Sequence, residues 1–597
     1  MSLHFKKILI LTNSNDQPGA VVADNTVAVL RYAQLEHVIV DIGPETTFPD
    51  LAEFDVILIC TENVQDLPAS SAQKVIDFVC KGGGLGVLYR CTHDDLNTLF
   101  GISPPELRSA YITPDYGEEG LRFPSRALPA FAGLTLDAAD MGGHAMLDLW
   151  ILRDVEIIAT TMSSKPVAWS NSFGDGRVIY WNTGFLGEKR ARGLITETIQ
   201  CLRPIAVISL ANASVLQVDD FPAPLSDTLH GAVADEFPEI MASEFYCTIW
   251  YPDLITLAET VGKPLSLFCM FDYTNRTTPP FAPWRNAALE AGAGNPDTDT
   301  FVAGRVLPPA EMGLHGFNHL TLTNSAWPDH TAMKASLKAA LTIWDEMGFG
   351  PAPTAYVPPN NEYDRVGAAA LRAACPTVRV ISGSYIGVSE ALGGNREFGP
   401  EPWEPSLFCL PRATSGHECK METLFDAASQ IATFGTWTHF IHADDICDSP
   451  AQGAATSGHR NPRNLPWRGG ASNPGLLNEL TLLLHTMKRR FPWLRGMTTT
   501  AAADTVASFF KSPWAVSVEY TQVRIVGVQG SHYQVRLNGN PRPRIRKCNG
   551  ARVLHHEHAT DYSLYFIAQE ADEVRIEISC QTRISRIKRN LRRLVST

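Results

Sequence analysis

Two adjacent aspartates, Asp219 and Asp220, close a short apolar run containing Val215, Leu216 and Val218, and about a hundred residues later comes His315-Gly-Phe-Asn-His319. One carboxylate and two histidines make a three-ligand metal site that keeps a position open for water and substrate. Zn²⁺ is the first choice for one divalent transition metal held by such nitrogen and oxygen donors, and Co²⁺, Ni²⁺ or Fe²⁺ would also suit. The other aspartate would stand beside the metal as a general base, so the chemistry these residues suggest is metal-dependent hydrolysis. Histidines at i and i+4 share one face of a helical turn, and that is the local structure the spacing predicts.

Something must bring these residues together, and the pattern of apolar runs says what. Between residues 206 and 511, strand-like runs (Val215–Val218, Leu265–Phe271, Ala355–Val357, Val378–Ile381, Leu407–Leu410, Thr438–Ile441) alternate with helical ones (Thr331–Met347, Val366–Ala374, Met421–Ala432, Pro474–Arg490, Thr500–Lys511). The alternation predicts an α/β fold, a distorted (β/α) barrel with its motifs at strand C-terminal ends. Residues 1–205 alternate in the same way around Ile8–Leu11, Val38–Val40, Val56–Cys60 and Leu85–Tyr89, which predicts a doubly wound parallel sheet. Residues 512–582 switch to short alternating runs such as Tyr533–Leu537 and Val574–Ile578, with a hairpin signal at Asn538-Gly539, and read as a small β-sandwich. The tail 583–597 places Ile584, Ile587, Leu591 and Leu594 at helical spacing among six basic residues and no acid. That is a basic amphipathic helix suited to an anionic membrane surface or to an acidic face of the same protein.

At 597 residues the chain exceeds one core, so about two to four domains are expected. A formal charge of −13 argues against a nucleic-acid binder. The apolar run after Lys6-Lys7 is shorter than the roughly 7–15 residues of a signal peptide, and it reads as a buried first strand. No run reaches the roughly 18 apolar residues of a membrane span. The twelve cysteines contain no Cys-x-x-Cys pair, and several, such as Cys60 and Cys269, sit inside apolar runs. These features point to a reducing cytoplasm, with the tail able to bring the protein to the inner membrane face as a peripheral contact.

Two further segments raise the specificity of the metal reading. Tyr356-Val-Pro-Pro359-Asn360-Asn361 follows one strand, and Thr438-His-Phe-Ile-His442-Ala-Asp-Asp445 ends another. The order of an Asp-Asp pair, an HxxxH, a proline loop and a late strand-end histidine resembles the NodB-homology polysaccharide deacetylases, in the divergent branch that includes the fungal galactosaminogalactan deacetylase. The resemblance implies that Asp219 is the general base, that Asp220, His315 and His319 hold the metal, and that His442 is the general acid. Its third motif, an Arg-x-Pro-aromatic loop, has Tyr356 in place of the arginine and Asn360 in place of the aromatic. Prolines 358 and 359 have no N–H, so Asn360 is the first backbone donor available to an oxyanion. The fourth motif, an Asp or Arg partner and a tryptophan, has no clear counterpart, and Trp403, Arg412 and Trp437 are its candidates. The substrate implied is an N-acetylated amino-sugar glycan, with Asn360, Tyr356 and Trp437 lining the groove. The rivals are a non-catalytic glycan-binding or scaffold relative, and an O-acetyl esterase or small-amide hydrolase on the same barrel.

Residues 1–205 resemble the class I glutamine-amidotransferase-like fold in pattern only. Cys91, in Tyr89-Arg90-Cys91-Thr92-His93, lacks the glycines of a nucleophile elbow, so a non-catalytic domain is expected. His555-His556-Glu557-His558 is read as a solvated loop and His439 as a core or supporting residue. Asp444 and Asp445 are candidates to orient His442 or to bind a cationic sugar. Asp272 is expected to line the cleft, and Trp284 and Trp327 are weighed between stacking on sugar and packing in the core.

Overall fold

The computed structural model describes the chain apart from residues 1–2, 5–6, 113–118, 142–143, 222–227, 273–274, 282–309, 388, 451–457, 471–472, 520, 540–541 and 580–597. Trp284 and the basic tail lie outside the described residues, and with them the expectation of membrane contact through 583–597. The chain divides into two compact units. One comprises Met1–Asn212, Leu424–Thr436 and Phe509–Thr597; the other comprises Ala213–Thr423 and Trp437–Ser508. No helix among the described residues is long and apolar enough to cross a membrane.

In the first unit, a nine-stranded sheet begins with His37–Asp41, Lys7–Thr12, Phe54–Ile59, Gly84–Val87 and Gly176–Trp181, all paired in parallel. Ile8, Leu9, Ile10 and Leu11 are each no more than 1% exposed. A strand whose successive side chains are all buried must be covered on both faces, which is why it reads as a continuous apolar run. The sheet then turns antiparallel through the hairpin of Pro166–Phe173 and Gly176–Trp181, where Phe173 pairs with Gly176. Gly174 takes φ +60° in the two-residue turn, a conformation open to glycine.

Two smaller sheets of this unit share one core. Val207, Tyr533, Val535 and Ile567 of one sheet pack with Val516, Val523, Ile525, Val574 and Ile576 of the other. Their strands come from distant parts of the chain. Ile205–Leu210 pairs with His532–Asn538, and Leu3–His4 pairs with Ala515–Glu519. A domain boundary at residue 206 cuts the first of these strands, because hydrogen bonding, not sequence order, decides its sheet. Asn538-Gly539 closes no hairpin, since His532–Asn538 has Ile205–Leu210 and Tyr562–Gln569 as its neighbours.

The second unit is built on a curled, half-barrel sheet of nine strands in the order Gly399–Pro400, Phe408–Cys409, Val380–Ile381, Ala355–Tyr356, Glu311–Leu314, Leu265–Cys269, Ala213–Phe221, Thr436–His442, Thr414–Ser415. The pairings from Phe408–Cys409 across to Ala213–Phe221 are parallel. All nine residues of Ala213–Phe221 are buried. Helices His330–Glu346 and Arg365–Ala374 start where Asp329 and Asp364 accept backbone N–H groups of Ala332 and Gly367 at 2.8 Å each. Such caps satisfy donors that the first turn leaves open. The molecule is therefore mixed α/β, with several sheets.

One residue of this unit is costly where it sits. Lys263 enters the strand Leu265–Cys269 and is 7% exposed. Its ammonium donates to the Ser214 hydroxyl and lies 4.6 Å from the centroid of the Trp437 ring. Burial, helped by the charge of Lys488, lowers its pKa to about 7 from an ordinary 10.5. A folded-state pKa below the unfolded one means that the penalty is full below about 7 and fades as pH rises towards 10.5. Lys263→Met is therefore expected to raise the urea midpoint at pH 7, with the gap from wild type narrowing by pH 10. An equal gap at both pH values would contradict the buried-charge account.

Candidate metal centre

Asp219 and Asp220 end the fully buried strand Ala213–Phe221. In a regular strand adjacent side chains point to opposite faces. Here the register with Leu265–Cys269 shifts between Val218 and Phe221, and Asp220 takes φ +54°. That left-handed conformation is uncommon for a residue other than glycine, though aspartate tolerates it better than most. Bulge and turn together let both carboxylates serve one site.

The strand Glu311–Leu314 delivers His315, which is 1% exposed. Its Nδ1 lies 2.8 Å from the Val357 carbonyl, a contact that orients the ring with Nε2 towards Asp220. The two histidines do not share a helical turn. His315 follows a strand, Gly316 turns the chain at φ +97°, and Asn318 bridges to Asp272 before His319 returns to the site. A Cβ at residue 316 would lie 3.1 Å from the Asn318 carbonyl, so both space and dihedral favour glycine.

Asp220 Oδ1 lies 3.2 Å from His315 Nε2 and 3.5 Å from His319 Nε2. Asp220, His315 and His319 thus form a group of ligand atoms all within 4.8 Å of one another that could hold a metal ion. A tetrahedral ion with bonds of about 2.1 Å has ligand–ligand edges of about 3.4 Å, which matches these separations. Lone pairs this close repel unless a cation or a proton lies between them, so the donor set fits a divalent metal. Burial works to raise the Asp220 carboxyl, but the hydrogen bond and charge of His315, then His319 and His442, hold it well below the usual carboxylate range. Burial lowers the His319 imidazole, against the pull of Asp220, and so favours the neutral form that a metal needs.

Asp219 is 1% exposed and bonded through Oδ2 to the Arg412 guanidinium. Arg412 also donates from Nε to Asn361 Oδ1 at 3.0 Å and lies 3.7 Å from the Phe440 ring centroid. Of Trp403, Arg412 and Trp437, Arg412 is thus the one that lies against Asp219. Arg412→Ala takes the bonded guanidinium from a buried carboxylate, leaving it the His442 imidazole at 3.9 Å, and is expected to cost on the order of 3–5 kcal/mol in chemical denaturation. A change within a few tenths of a kcal/mol would show that Asp219 finds another partner.

His442 ends the strand Thr436–His442, with Nε2 3.9 Å from Asp219 Oδ2. Its Nδ1 lies 3.1 Å from Asp445 Oδ1, and its backbone N–H donates to Asp445 Oδ2 at 3.0 Å. Burial would lower this imidazole, but Asp445 foremost, then Asp219 and Asp220, raise it to about 9. Asp445 is thus the residue that orients His442, and burial opposed by the charge of His442 and by His417 leaves its own carboxyl well below the ordinary range.

Two predicted groove residues do not line an open groove. Trp437 is fully buried, with Nε1 donating to Thr414 Oγ1 at 2.9 Å, so it offers no face to a sugar. Tyr356 is also fully buried, near the turn at Gly316. In both cases an aromatic ring near a strand end has gone into the core, its commoner fate. Asn360 is exposed at φ +55°, but Asn361, not singled out from the sequence, is the loop residue bonded to the site through Arg412.

Of the remaining candidates, His439 is a core residue bonded to Thr414 and Gly416, and burial lowers it to about 3. Trp327 is buried and donates to the Thr321 carbonyl, and Asp272 is 2% exposed and bridged to Asn318. Trp403 packs under the Arg396 guanidinium at 4.1 Å. His555–His558 lie on the strand Ala551–His558 at a sheet edge, not in a loop. Cys91 is 1% exposed, and burial, reinforced by Glu62 and Asp16, raises its thiol well above normal, which argues against a nucleophilic thiolate.

Among solved structures, the chain is similar to a β-galactosidase from Bacillus circulans sp. alkalophilus, at 14% identity and a TM-score of 0.25, covering 35% of this chain and 34% of that one. It thus spans about a third of the galactosidase's length. It is also similar to ThuA-like proteins from Bacteroides uniformis ATCC 8492 (12% identity, TM-score 0.27, covering 33% of this chain and 91% of that one) and Parabacteroides merdae ATCC 43184 (11%, 0.25, 34% and 89%). None of these likenesses bears on the chemistry of the site. No curated protein matches the chain. Residues 144–560, more than half of the chain and including every residue of the metal centre, match the model of a family described as an uncharacterised protein conserved in bacteria, and the chain belongs to that family, DUF2194.

Proposed function

We propose that the protein is a metal-dependent hydrolase that removes N-acetyl groups from an amino-sugar glycan or its precursor, with Zn²⁺ the preferred ion. The observation that carries this reading is the placement, at the ends of three strands of one sheet, of a three-ligand set beside a second carboxylate that lies 3.9 Å from a histidine. A divalent metal held by Asp220, His315 and His319 would supply a Lewis acid that polarises the acyl carbonyl and makes water more acidic. Asp219, with Oδ2 bonded to Arg412, keeps Oδ1 for the proton of the attacking water. His442, charged at neutral pH, donates a proton to the departing nitrogen. The exposed turn at Asn360 offers its backbone N–H to the developing oxyanion.

In the same reading, the unit of Ala213–Thr423 and Trp437–Ser508 is a distorted (β/α) barrel of the polysaccharide deacetylase kind, and the other unit combines a non-catalytic amidotransferase-like sheet with an accessory β-sandwich. The burial of Trp437 and Tyr356 removes two rings expected to grip a sugar, and this favours, as a second reading, a small amide or an O-acetyl ester hydrolysed by the same residues. Acetate release from matched N- and O-acetylated substrates by the zinc-loaded protein decides between them. Release from neither, with metal bound, would favour a glycan-binding or scaffold protein.

A further inference from the structure

The carboxylate that holds His442 is itself held. Asp445, 2% exposed, faces His442 Nδ1 at 3.1 Å, the His442 backbone N–H at 3.0 Å, His417 Nδ1 at 3.3 Å and Arg460 Nη1 at 3.2 Å. Arg460 differs from the others in reach. It comes from a separate stretch of chain, its side chain is 36% exposed, and one guanidinium spans Asp444 Oδ2, Asp445 Oδ1 and Asp448 Oδ2, the last at 3.1 Å from Nε. The backbone around it is pinned as well. Arg460 N donates to Asp448 Oδ2 at 3.1 Å and Asn461 N donates to the Asp448 carbonyl at 2.9 Å.

Asp444 and Asp445 are neighbours in the turn Ala443–Cys447, and both are buried. Two adjacent carboxylates in such a place repel each other unless a cation lies between them. Asp444 Oδ1 has no hydrogen-bond partner among the described residues, so Arg460 is the compensation this carboxylate has. A planar fork suits three carboxylates where a point charge would not.

We propose that Arg460 is a positioning residue: by bridging Asp444, Asp445 and Asp448 it keeps the Asp445 carboxylate aligned on Nδ1 of His442, and so keeps Nε2 aimed into the site. The proposal rests on the reading of His442 as the proton donor, and its test is chosen to stand apart from that reading. In the full-length protein labelled with ¹⁵N-histidine, the Nδ1–H resonance of His442 is assigned by its loss in His442→Gln. The expected result is a resonance that persists in wild type and vanishes by exchange with water in Arg460→Ala and Arg460→Gln, while metal content and circular dichroism are unchanged. Millimolar guanidinium chloride restores it in Arg460→Ala. An unaltered resonance in both variants overturns the proposal. Where wild type releases acetate, the same variants lower kcat by about 10- to 100-fold at unchanged KM. A wild type that releases none defeats the deacetylase reading, while the resonance still decides the role of Arg460.

Discussion

Asp220→Ala is expected to strip the protein of its metal and of its activity together. Wild type loaded with zinc should carry about one ion per chain by elemental analysis, as a three-ligand site requires, and Asp220→Ala and His315→Ala should carry essentially none. Asp220 Oδ1 is the ligand atom that faces both histidines, at 3.2 and 3.5 Å, so its loss leaves two imidazoles with no shared centre. Lewis-acid stabilisation worth several kcal/mol corresponds to a fall in acetate release of about 10³-fold or more. Asp219→Asn is the informative contrast, because it should keep the ion while losing the base. Metal retained at full occupancy in Asp220→Ala would remove the foundation of the metal centre.

The second large effect concerns pH. His442 is raised to about 9 because burial, which would lower it, is outweighed by Asp445, Asp219 and Asp220. The proton needed by the leaving nitrogen therefore stays in place through neutral pH, and kcat should fall only above about pH 9. His442→Gln is expected to cost about 10²- to 10⁴-fold, the usual worth of a general acid. Asp445→Asn removes the strongest opposing charge and should move the alkaline limb down towards the ordinary histidine value of about 6.5. Stability follows the same sign. A histidine whose folded pKa exceeds its unfolded one contributes fully below about 6.5, and that contribution is lost as pH rises through about 9. An alkaline limb that stays in place in Asp445→Asn would mean that another group sets it.

The elements were legible where local pattern and burial agree. The helix expected over Thr331–Met347 is His330–Glu346, and that over Val366–Ala374 is Arg365–Ala374, each begun by an aspartate cap. The strand that delivers His315, Glu311–Leu314, was not foreseen, because Glu-Met-Gly-Leu has neither the length nor the β-branched residues of a strand. Parallel neighbours on both sides make it one. For the same reason His315 and His319 looked helical: spacing of four is helical only if the backbone is, and Gly316 bends it otherwise.

By itself, then, the sequence determined the types of the chemical groups and the alternation of strand and helix, because periodicity and side-chain chemistry are local properties. The nearness of His442 to Asp445 was also within its reach, since three residues separate them. The tertiary structure alone decided that Arg412 meets Asp219 across 193 positions, that Asp220 meets both histidines, and that Trp437 turns into the core. An ion pair or a ligand set of that kind has no local signal. It exists only once a parallel sheet has brought distant strand ends side by side and excluded the water that would otherwise screen them.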